Sequence, residues 1–295
     1  MTASSDYTAQ EIIVVAGAKI LEDRKVVFVG TGLPMVASLL AKLTHAPGLI
    51  PVFEAGAVGP PLKVGLPLSV GDSKTFTSAS YLKGLNAAFE MTQRGYADIG
   101  FIGGAEVDMY GNLNSTMIGD FPDGYQKPKV RLPGSGGASD MAASCERTIL
   151  IIPHDKRKFN KKLQYVTSPG FLDGSPNARY NAGLQGKGPY RVITTKAILD
   201  FDEETHRMRI LQVFPGENVA SVQAATGFEL LVSPNVSTFA APTVEELRMI
   251  REDIDPTQAF VKQLAKQKSV EFDKDNQVPF LTPKSERMLH ASQQS

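Results

Sequence analysis

The 295-residue sequence has few of the side chains that disulfides and metal sites require. It has one cysteine, Cys145, so no internal disulfide can form, which fits a reducing compartment such as the cytoplasm. Its four histidines are scattered without the spacing of a metal site. Basic and acidic residues balance at 31 each, so the chain lacks the basic field that attracts nucleic acid or anionic membranes.

Long apolar runs are missing too. No stretch reaches the roughly 20 residues that a membrane-spanning helix requires, and the polar, acidic start MTASSDYTAQE is unlike a signal peptide. The glycine-containing segments GTGLP (30–34) and LPGSGGASDMAAS (132–144) match neither the P-loop nor the dinucleotide-binding fingerprint. We therefore expect a cytoplasmic protein that binds neither nucleic acid nor membrane and holds no metal.

What the sequence does contain is a series of short runs rich in Val, Ile and Phe. These are KVVFVG, GLIPVF, DIGFIG and TILIIP, which begin at residues 25, 48, 98 and 148. They do not alternate polar with apolar residues, which indicates strands covered on both faces. Helix-like stretches at 33–43 and 80–95 lie between them. The pattern predicts an α/β fold with an open, mainly parallel sheet flanked by helices.

The later half has a different pattern. YRVITTKAILDFD and RMRILQVF flank the polar EETH, which predicts an antiparallel extension of the sheet. Thr243 and Glu246 form a capping-box pattern for a helix that ends before Pro256. From about residue 268 the chain is polar and charged. We predict a single domain over 1–267 and a flexible tail over 268–295.

Glu54 is the carboxylate that the sequence brings most clearly to attention, because it directly follows the predicted strand GLIPVF. In an open α/β sheet, ligands bind beyond the carboxyl ends of the strands. A solvent-facing glutamate is the ordinary alternative. However, residues 55–59 are small and apolar, so they offer Glu54 no polar side chain as a partner and allow a ligand to approach closely. Such a carboxylate can act as a general base or attack a carbonyl group itself.

Two glycine stretches could supply backbone N–H donors to the same site. Gly103, Gly104 and Ala105 follow a predicted strand, which suits an oxyanion hole or a phosphate cradle, although a tight turn would need the same residues. The glycine-rich loop at 132–144 leads into a predicted helix and could present N–H groups to an anion. Each signal is weak by itself.

Taken together, several motifs resemble those of the β subunits of class I coenzyme A transferases, and most closely the glutaconate branch. The motifs are VGTGLP, FEAG, FIGGAEVDMYGNLNST, GSGGA, HDKRKF and YVTSPGFLDG. They occur in the family's order, and the resemblance extends to about residue 260. It implies the family's open α/β fold and a related α subunit, with the active site between the two subunits and αβ pairs assembled into a hetero-oligomer.

The resemblance also implies a reaction and roles for residues. Glu54 would be the nucleophile that carries CoA as a glutamyl thioester in a ping-pong cycle, with coenzyme A as a substrate and no prosthetic group. Gly103, Gly104 and Ala105 would line the oxyanion site, while Gly136, Gly137 and Ala138 would approach the CoA portion. The acids would be a short dicarboxylate such as glutaconate and, as the other acid, acetate.

Two alternatives stay open. Some proteins of this fold are acyl-CoA hydrolases or decarboxylases that have replaced or lost the nucleophilic glutamate, and the presence of Glu54 argues against that route. A non-catalytic ligand-binding module on the same fold is the other alternative, since a fold alone does not determine function. Such a module would have no reason to combine a nucleophile, an oxyanion loop and a CoA loop.

Overall fold

A ten-stranded sheet organises the chain. The computed structural model describes residues 3–61, 65–119 and 123–262. The strands are β1 (Val26–Phe28), β2 (Ile50–Val52), β3 (Ala57–Val58), β4 (Tyr81–Leu82), β5 (Ile99–Gly103), β6 (Glu106–Val107), β7 (Leu113–Asn114), β8 (Met117–Ile118), β9 (Val130–Arg131), β10 (Arg147–Ile151), β11 (Pro189–Ile193), β12 (Ala197–Phe201), β13 (Met208–Val213) and β14 (Leu231–Thr238). The main sheet has the order β14-β13-β12-β11-β10-β5-β1-β2-β3-β4, and β6-β7 and β8-β9 form two small hairpin sheets.

Helices lie on both sides of this sheet. They are α1 (Ala9–Ile20), α2 (Leu33–Leu43), α3 (Leu85–Gln93), α4 (Ala138–Ser144), α5 (Ala178–Asn181), α6 (Val219–Ala224) and α7 (Val244–Arg248), which a π-helical segment, Met249–Ile254, continues. Short 3₁₀ turns occupy Ser73–Thr75 and Asp123–Tyr125. No helix within the described residues is long and apolar enough to cross a membrane.

The centre of the sheet is parallel, as predicted. β2 and β5 flank β1 in parallel, β10 continues on β5, and β11 on β10. The predicted antiparallel extension is confirmed by β12, which pairs antiparallel with both β11 and β13. Strand β14 then returns parallel to β13. The carboxyl ends of β1, β2, β5 and β10 therefore meet at one edge of the sheet.

Successive residues of the central strands contribute to two different cores. In β1 and its continuation, Val27 and Val29 pack in one core with α1 and α2, whereas Phe28 packs in the other with α3 and α4. In β10, Ile149 and Leu150 divide between the two cores in the same way. Because both faces are covered, both kinds of position must be apolar. This explains the continuous apolar runs in the sequence.

Two local predictions have different outcomes. The helix predicted from residue 80 is wrong at its start, because Tyr81 and Leu82 form β4 against β3, and α3 begins only after Gly84. The capping box of α7 is confirmed, since Thr243 Oγ1 accepts from Glu246 N and Glu246 accepts from Thr243 N. The predicted division at residue 267 stays a prediction, and the predicted tail, 268–295, lies outside the described residues.

Candidate active site

Glu54 occupies the tip of a tight hairpin between β2 and β3. The N–H of Phe53 donates to Ala57 O, and the N–H of Gly56 donates to Phe53 O, which closes a three-residue loop over 54–56. Such loops commonly end in a residue with positive φ. Gly56 meets this requirement with a φ of 102°, and a Cβ there would collide with the carbonyl oxygen of Lys83. The sequence FEAG therefore fixes the backbone of Glu54 at the carboxyl end of a buried parallel strand.

The side chain of Glu54 is half-buried and faces a cleft of about 710 Å³. The cleft is lined by Gly30, Thr31, Leu33, Pro34, Glu54, Phe101, Ile102, Gly103, Gly104, Ala105, Ser115, Leu132, Pro133, Gly134, Ser135, Gly136, Gly137, Ala138, Met141 and Ile151. Glu54 is the only ionisable side chain among these lining residues. Within the described chain, its carboxylate has no hydrogen-bond or ion-pair partner. An unpaired carboxylate in a largely apolar cleft is available to a ligand.

All seven residues predicted from the sequence line this one cleft. Gly103, Gly104 and Ala105 differ in whether their N–H groups are hydrogen-bonded within the chain. Gly103 is the last residue of β5, opposite Ile151. The Ala105 N–H already donates to Asn114 O at 2.8 Å. The Gly104 N–H follows the last β5–β10 pair, Gly103 with Ile151, and makes no hydrogen bond within the described parts of the chain. Gly104 is therefore the residue of this stretch whose N–H is free to bind a ligand oxygen.

The glycine-rich loop borders the glutamate directly. A Cβ added at Gly137 would lie 3.4 Å from the carboxyl carbon of Glu54 and 2.6 Å from Cζ of Phe89. Gly134 and Gly136 have positive φ values of 95° and 50° and open space in front of them. Since Gly137 has no room for a side chain, the loop can approach Glu54 this closely only with glycine at that position.

The loop is held by hydrogen bonds that the sequence does not reveal. Gly134 N donates to Ser115 O, and Ser115 Oγ donates to Gly134 O, at 2.8 and 2.9 Å. Ser135 Oγ lies 2.7 Å from Ser139 Oγ in the first turn of α4. Thr31 and Ser115 also line the cleft and were not identified from the sequence. Thr31 lies in the segment GTGLP, whose glycines indicate a loop, so this segment was a possible indication of the cleft.

Other reactive side chains do not take part in the cleft. Cys145 is buried beneath β5, and this burial raises the pKa of its thiol to about 12. His154 is enclosed between Thr194 Oγ1 and Thr226 Oγ1, 3.0 and 2.9 Å away, and burial lowers its pKa to about 4. No group of three or more potential metal ligands occurs among the residues that the structure describes.

Comparison with known proteins identifies the family to which the chain belongs. Residues 10–225 match the sequence model of the family "Coenzyme A transferase". The chain is 41% identical over 270 residues to the B subunit of glutaconate CoA-transferase from Acidaminococcus fermentans, covering 89% of this chain and 98% of that protein. It is 38% identical over 248 residues to the B subunit of 3-oxoadipate CoA-transferase from Pseudomonas knackmussii, covering 84% and 93%.

A solved structure agrees. The crystal structure of glutaconate coenzyme A-transferase from Acidaminococcus fermentans superposes with a TM-score of 0.81 at 38% identity, covering 88% of this chain and 99% of that one. The chain belongs to the coenzyme A transferase family, and the relatives that it matches over nearly their whole length are B subunits.

Proposed function

We propose that this chain is the B-type subunit of a CoA-transferase, in which Glu54 is the nucleophile that moves CoA from an acyl-CoA to a free carboxylic acid. The single observation that carries the proposal is the unpaired carboxylate of Glu54 in a cleft that has no other ionisable side chain in its described wall. A carboxylate is already ionised at neutral pH, so it can attack a thioester without a partner base.

The proposed cycle consumes no water. A carboxylate oxygen of Glu54 attacks the thioester carbonyl, the C–S bond breaks, and CoA leaves as a thiolate from a mixed anhydride. The thiolate then attacks the Glu54 carbonyl carbon, which releases the first acid and forms a glutamyl-CoA thioester. The acceptor carboxylate repeats these two steps in reverse and leaves as acyl-CoA. Glu54 returns to a free carboxylate, and the route needs no metal or organic cofactor.

The cleft offers what each step requires. Each carbonyl attack creates an oxyanion, which a fixed N–H donor in a poorly hydrated site stabilises strongly. We assign this role to the free N–H of Gly104. We assign the approach of the CoA portion to Gly136, Gly137 and Ala138, which line the cleft beside Glu54 and of which Gly136 has open space in front of it. Binding energy from the remote CoA moiety can then lower the barrier to reaction.

A second subunit completes this proposal. The described wall of the cleft provides no lysine or arginine, and a cleft of this kind needs a cover to exclude water from the anhydride. The B subunits that the chain resembles are, by name, parts of larger enzymes. We propose a related α subunit that closes over the Glu54 side, with αβ pairs assembled in the cytoplasm.

For the acids, we propose a short dicarboxylate. The two relatives at 41% and 38% identity are named for glutaconate and 3-oxoadipate, and both acids carry a second carboxylate. That second carboxylate needs a cation or N–H donors, which in this proposal come partly from the α subunit. Acetate is the simplest candidate for the other acid.

The proposal is tested on the complex of this chain with its α subunit. CoA exchange between an acyl-CoA and an isotopically labelled acid is measured beside the release of free CoA. A transferase gives exchange that depends on the acceptor acid, with little free CoA. Acceptor-independent release of free CoA would instead identify a hydrolase, release of CO₂ a decarboxylase, and binding without turnover a non-catalytic module.

A further inference from the structure

The hairpin that follows the Gly103–Ala105 turn contains two pairs of a carboxylate with an amide, of which one is fully buried and the other has a half-buried acid. In the sequence EVDMYGNLN, the acids are Glu106 and Asp108, and the amides are Asn112 and Asn114. The register of β6 and β7 places Glu106 opposite Asn114 and Val107 opposite Leu113. Within the hairpin, Glu106 is joined to Asn114 and Asp108 to Asn112. Glu106 also accepts from Asn160 Nδ2 at 2.7 Å. No lysine or arginine pairs with either acid within the described chain.

The first pair is deeply buried. Glu106 is 4% exposed and Asn114 is fully buried. Asn114 Nδ2 donates to Glu106 Oε2 at 2.6 Å and to Met117 O at 2.8 Å, while its Oδ1 accepts from the N–H groups of Thr116 and Met117. Both ends of the amide are therefore occupied, and the group cannot turn over without losing bonds. A buried carboxylate is costly unless it is hydrogen-bonded.

The same pair supports the turn at the wall of the cleft. Asn114 O accepts the N–H of Ala105 at 2.8 Å. A Cβ added at Gly104 would lie 3.0 Å from Cδ2 of Leu113 and 3.3 Å from Asn114 O. The turn with the free Gly104 N–H therefore rests directly on the hairpin, next to the Glu106–Asn114 pair.

The second pair has the same chemistry but supports another segment. Asn112 Nδ2 donates to Asp108 Oδ2 at 2.7 Å and to Leu172 O at 2.7 Å. Asn112 Oδ1 accepts from the N–H groups of Gly170 and Leu172, at 2.7 and 3.1 Å. None of these residues lines the cleft. The chain thus contains a matched control for the first pair.

We infer that Glu106 and Asn114 are positioning residues, which hold the Gly103–Ala105 turn so that the Gly104 N–H meets the oxyanion formed at Glu54. The inference rests on the proposed function. A fixed donor stabilises the transition state more than the bound substrate, so its loss lowers kcat. The pair Asp108–Asn112 serves the fold alone.

The test compares N114D with N112D in the complex with the α subunit. Each variant keeps the shape of the side chain, removes two amide donors, and sets a new carboxylate against the existing one, which is buried at Glu106 and half-buried at Asp108. We expect N114D to lower kcat for CoA transfer by about 10- to 100-fold, as partial loss of an oxyanion donor does, with KM for the acyl-CoA within about twofold. We expect N112D to keep kcat within about twofold.

Hydrogen exchange gives a second measurement that does not depend on activity. N114D should speed exchange in peptides that contain Ala105, and N112D in peptides that contain Gly170 and Leu172. If N114D does not fold, E106Q and D108N repeat the comparison. Equal losses of kcat in the two variants, or equal exchange at Ala105, would overturn the inference. A wild-type complex without any CoA transfer would refute the proposed function instead, and exchange at Ala105 would still decide the positioning of the turn.

Discussion

The parallel and antiparallel halves of the sheet treat their charged side chains differently. In the antiparallel half, Asp200 of β12 faces Arg209 of β13, and the guanidinium donates to both carboxylate oxygens at 2.9 and 2.8 Å. Lys196 and Glu217 also pair there, at 2.6 Å. At the carboxyl edge of the parallel half, Glu54 faces a cleft with no described partner. These side chains of the antiparallel half pair with each other, whereas the carboxylate at this edge of the parallel half is unpaired.

This difference separates a supporting role from a chemical one. A paired carboxylate stabilises the fold and is a poor nucleophile, because its lone pairs are occupied by donors. An unpaired one contributes little to stability and is free to react. We therefore expect substitutions at the cleft to affect turnover with little effect on stability, and substitutions in the antiparallel half to do the reverse.

E54Q gives the largest expected effect. The amide is nearly isosteric but is a very weak nucleophile, so CoA transfer should fall by roughly 10⁴-fold or more. The thermal unfolding midpoint should stay close to that of the wild type, because Glu54 has no partner to lose among the described residues. E90Q, which alters an exposed glutamate of α3, is the control and should keep full activity. Substantial transfer by E54Q would contradict the assignment of the nucleophile.

G137A tests how closely the glycine loop must approach Glu54. The added Cβ would come within 2.6 Å of the Phe89 ring, so either the ring or the loop must shift. Displacements of about 1 Å near reacting groups can cost about 100-fold in rate, and we expect a loss of that order in kcat/KM for the acyl-CoA.

G84A is the matched control for G137A. Gly84 also precedes a helix with negative φ, but a Cβ there meets open space. This variant should keep wild-type kinetics. Equal kinetics for G137A and the wild type would show that the loop does not need to lie against the glutamate.

D200N examines the antiparallel half. The substitution removes the close charge partner of Arg209, whose side chain is 24% exposed, and leaves only the longer contact with Asp202 at 3.9 Å. Breaking a fully buried pair costs about 3–5 kcal/mol, and partial solvation of Arg209 reduces the expected loss to about 2 kcal/mol. Urea denaturation measures it. Turnover of the folded enzyme should be unchanged. A lower kcat for fully folded D200N would contradict the claim that the antiparallel half contributes to stability and not to turnover.

His154 gives the smallest effect at neutral pH, because its contribution to stability changes only when the pH is lowered. Burial lowers the pKa of its imidazole to about 4, from an ordinary value near 6.5, so the unfolded chain binds the proton more readily. His154 therefore contributes stability above about pH 6.5 that is lost as the pH falls toward 4, by at most about 3 kcal/mol. Unfolding free energies of H154N should fall less steeply over this range. A slope equal to that of the wild type would contradict the assignment.

Much of the fold could be predicted because strands buried on both faces leave a continuous apolar signal. The four runs at 25, 48, 98 and 148 correspond to β1, β2, β5 and β10. The error at residue 80 has a local cause. Tyr81 and Leu82 directly precede the helix-like sequence of α3, but their backbone pairs with β3, a contact that no local pattern contains. Gly84 was the available signal for the true helix start.

At the site, residues at the ends of strands were easier to find than residues that act through a partner. Glu54 and Gly104 follow apolar runs, so their position in the chain indicated an edge of the sheet. In the segment GNLN, the glycine and asparagine by themselves indicate no more than a turn. The pairing of Asn114 with Glu106 depends on the register of β6 and β7, and the sequence does not contain that register. The free N–H of Gly104 and the occupied N–H of Ala105 likewise required coordinates.

The most direct test of the central claim is to trap the intermediate. The complex with its α subunit is incubated briefly with an acyl-CoA, treated with borohydride, and digested for peptide mass spectrometry. The account predicts that Glu54 is reduced to the alcohol only when an acyl-CoA that supports transfer is present, and that E54Q gives no such product. Rapid CoA transfer with Glu54 unmodified under the same conditions would contradict it.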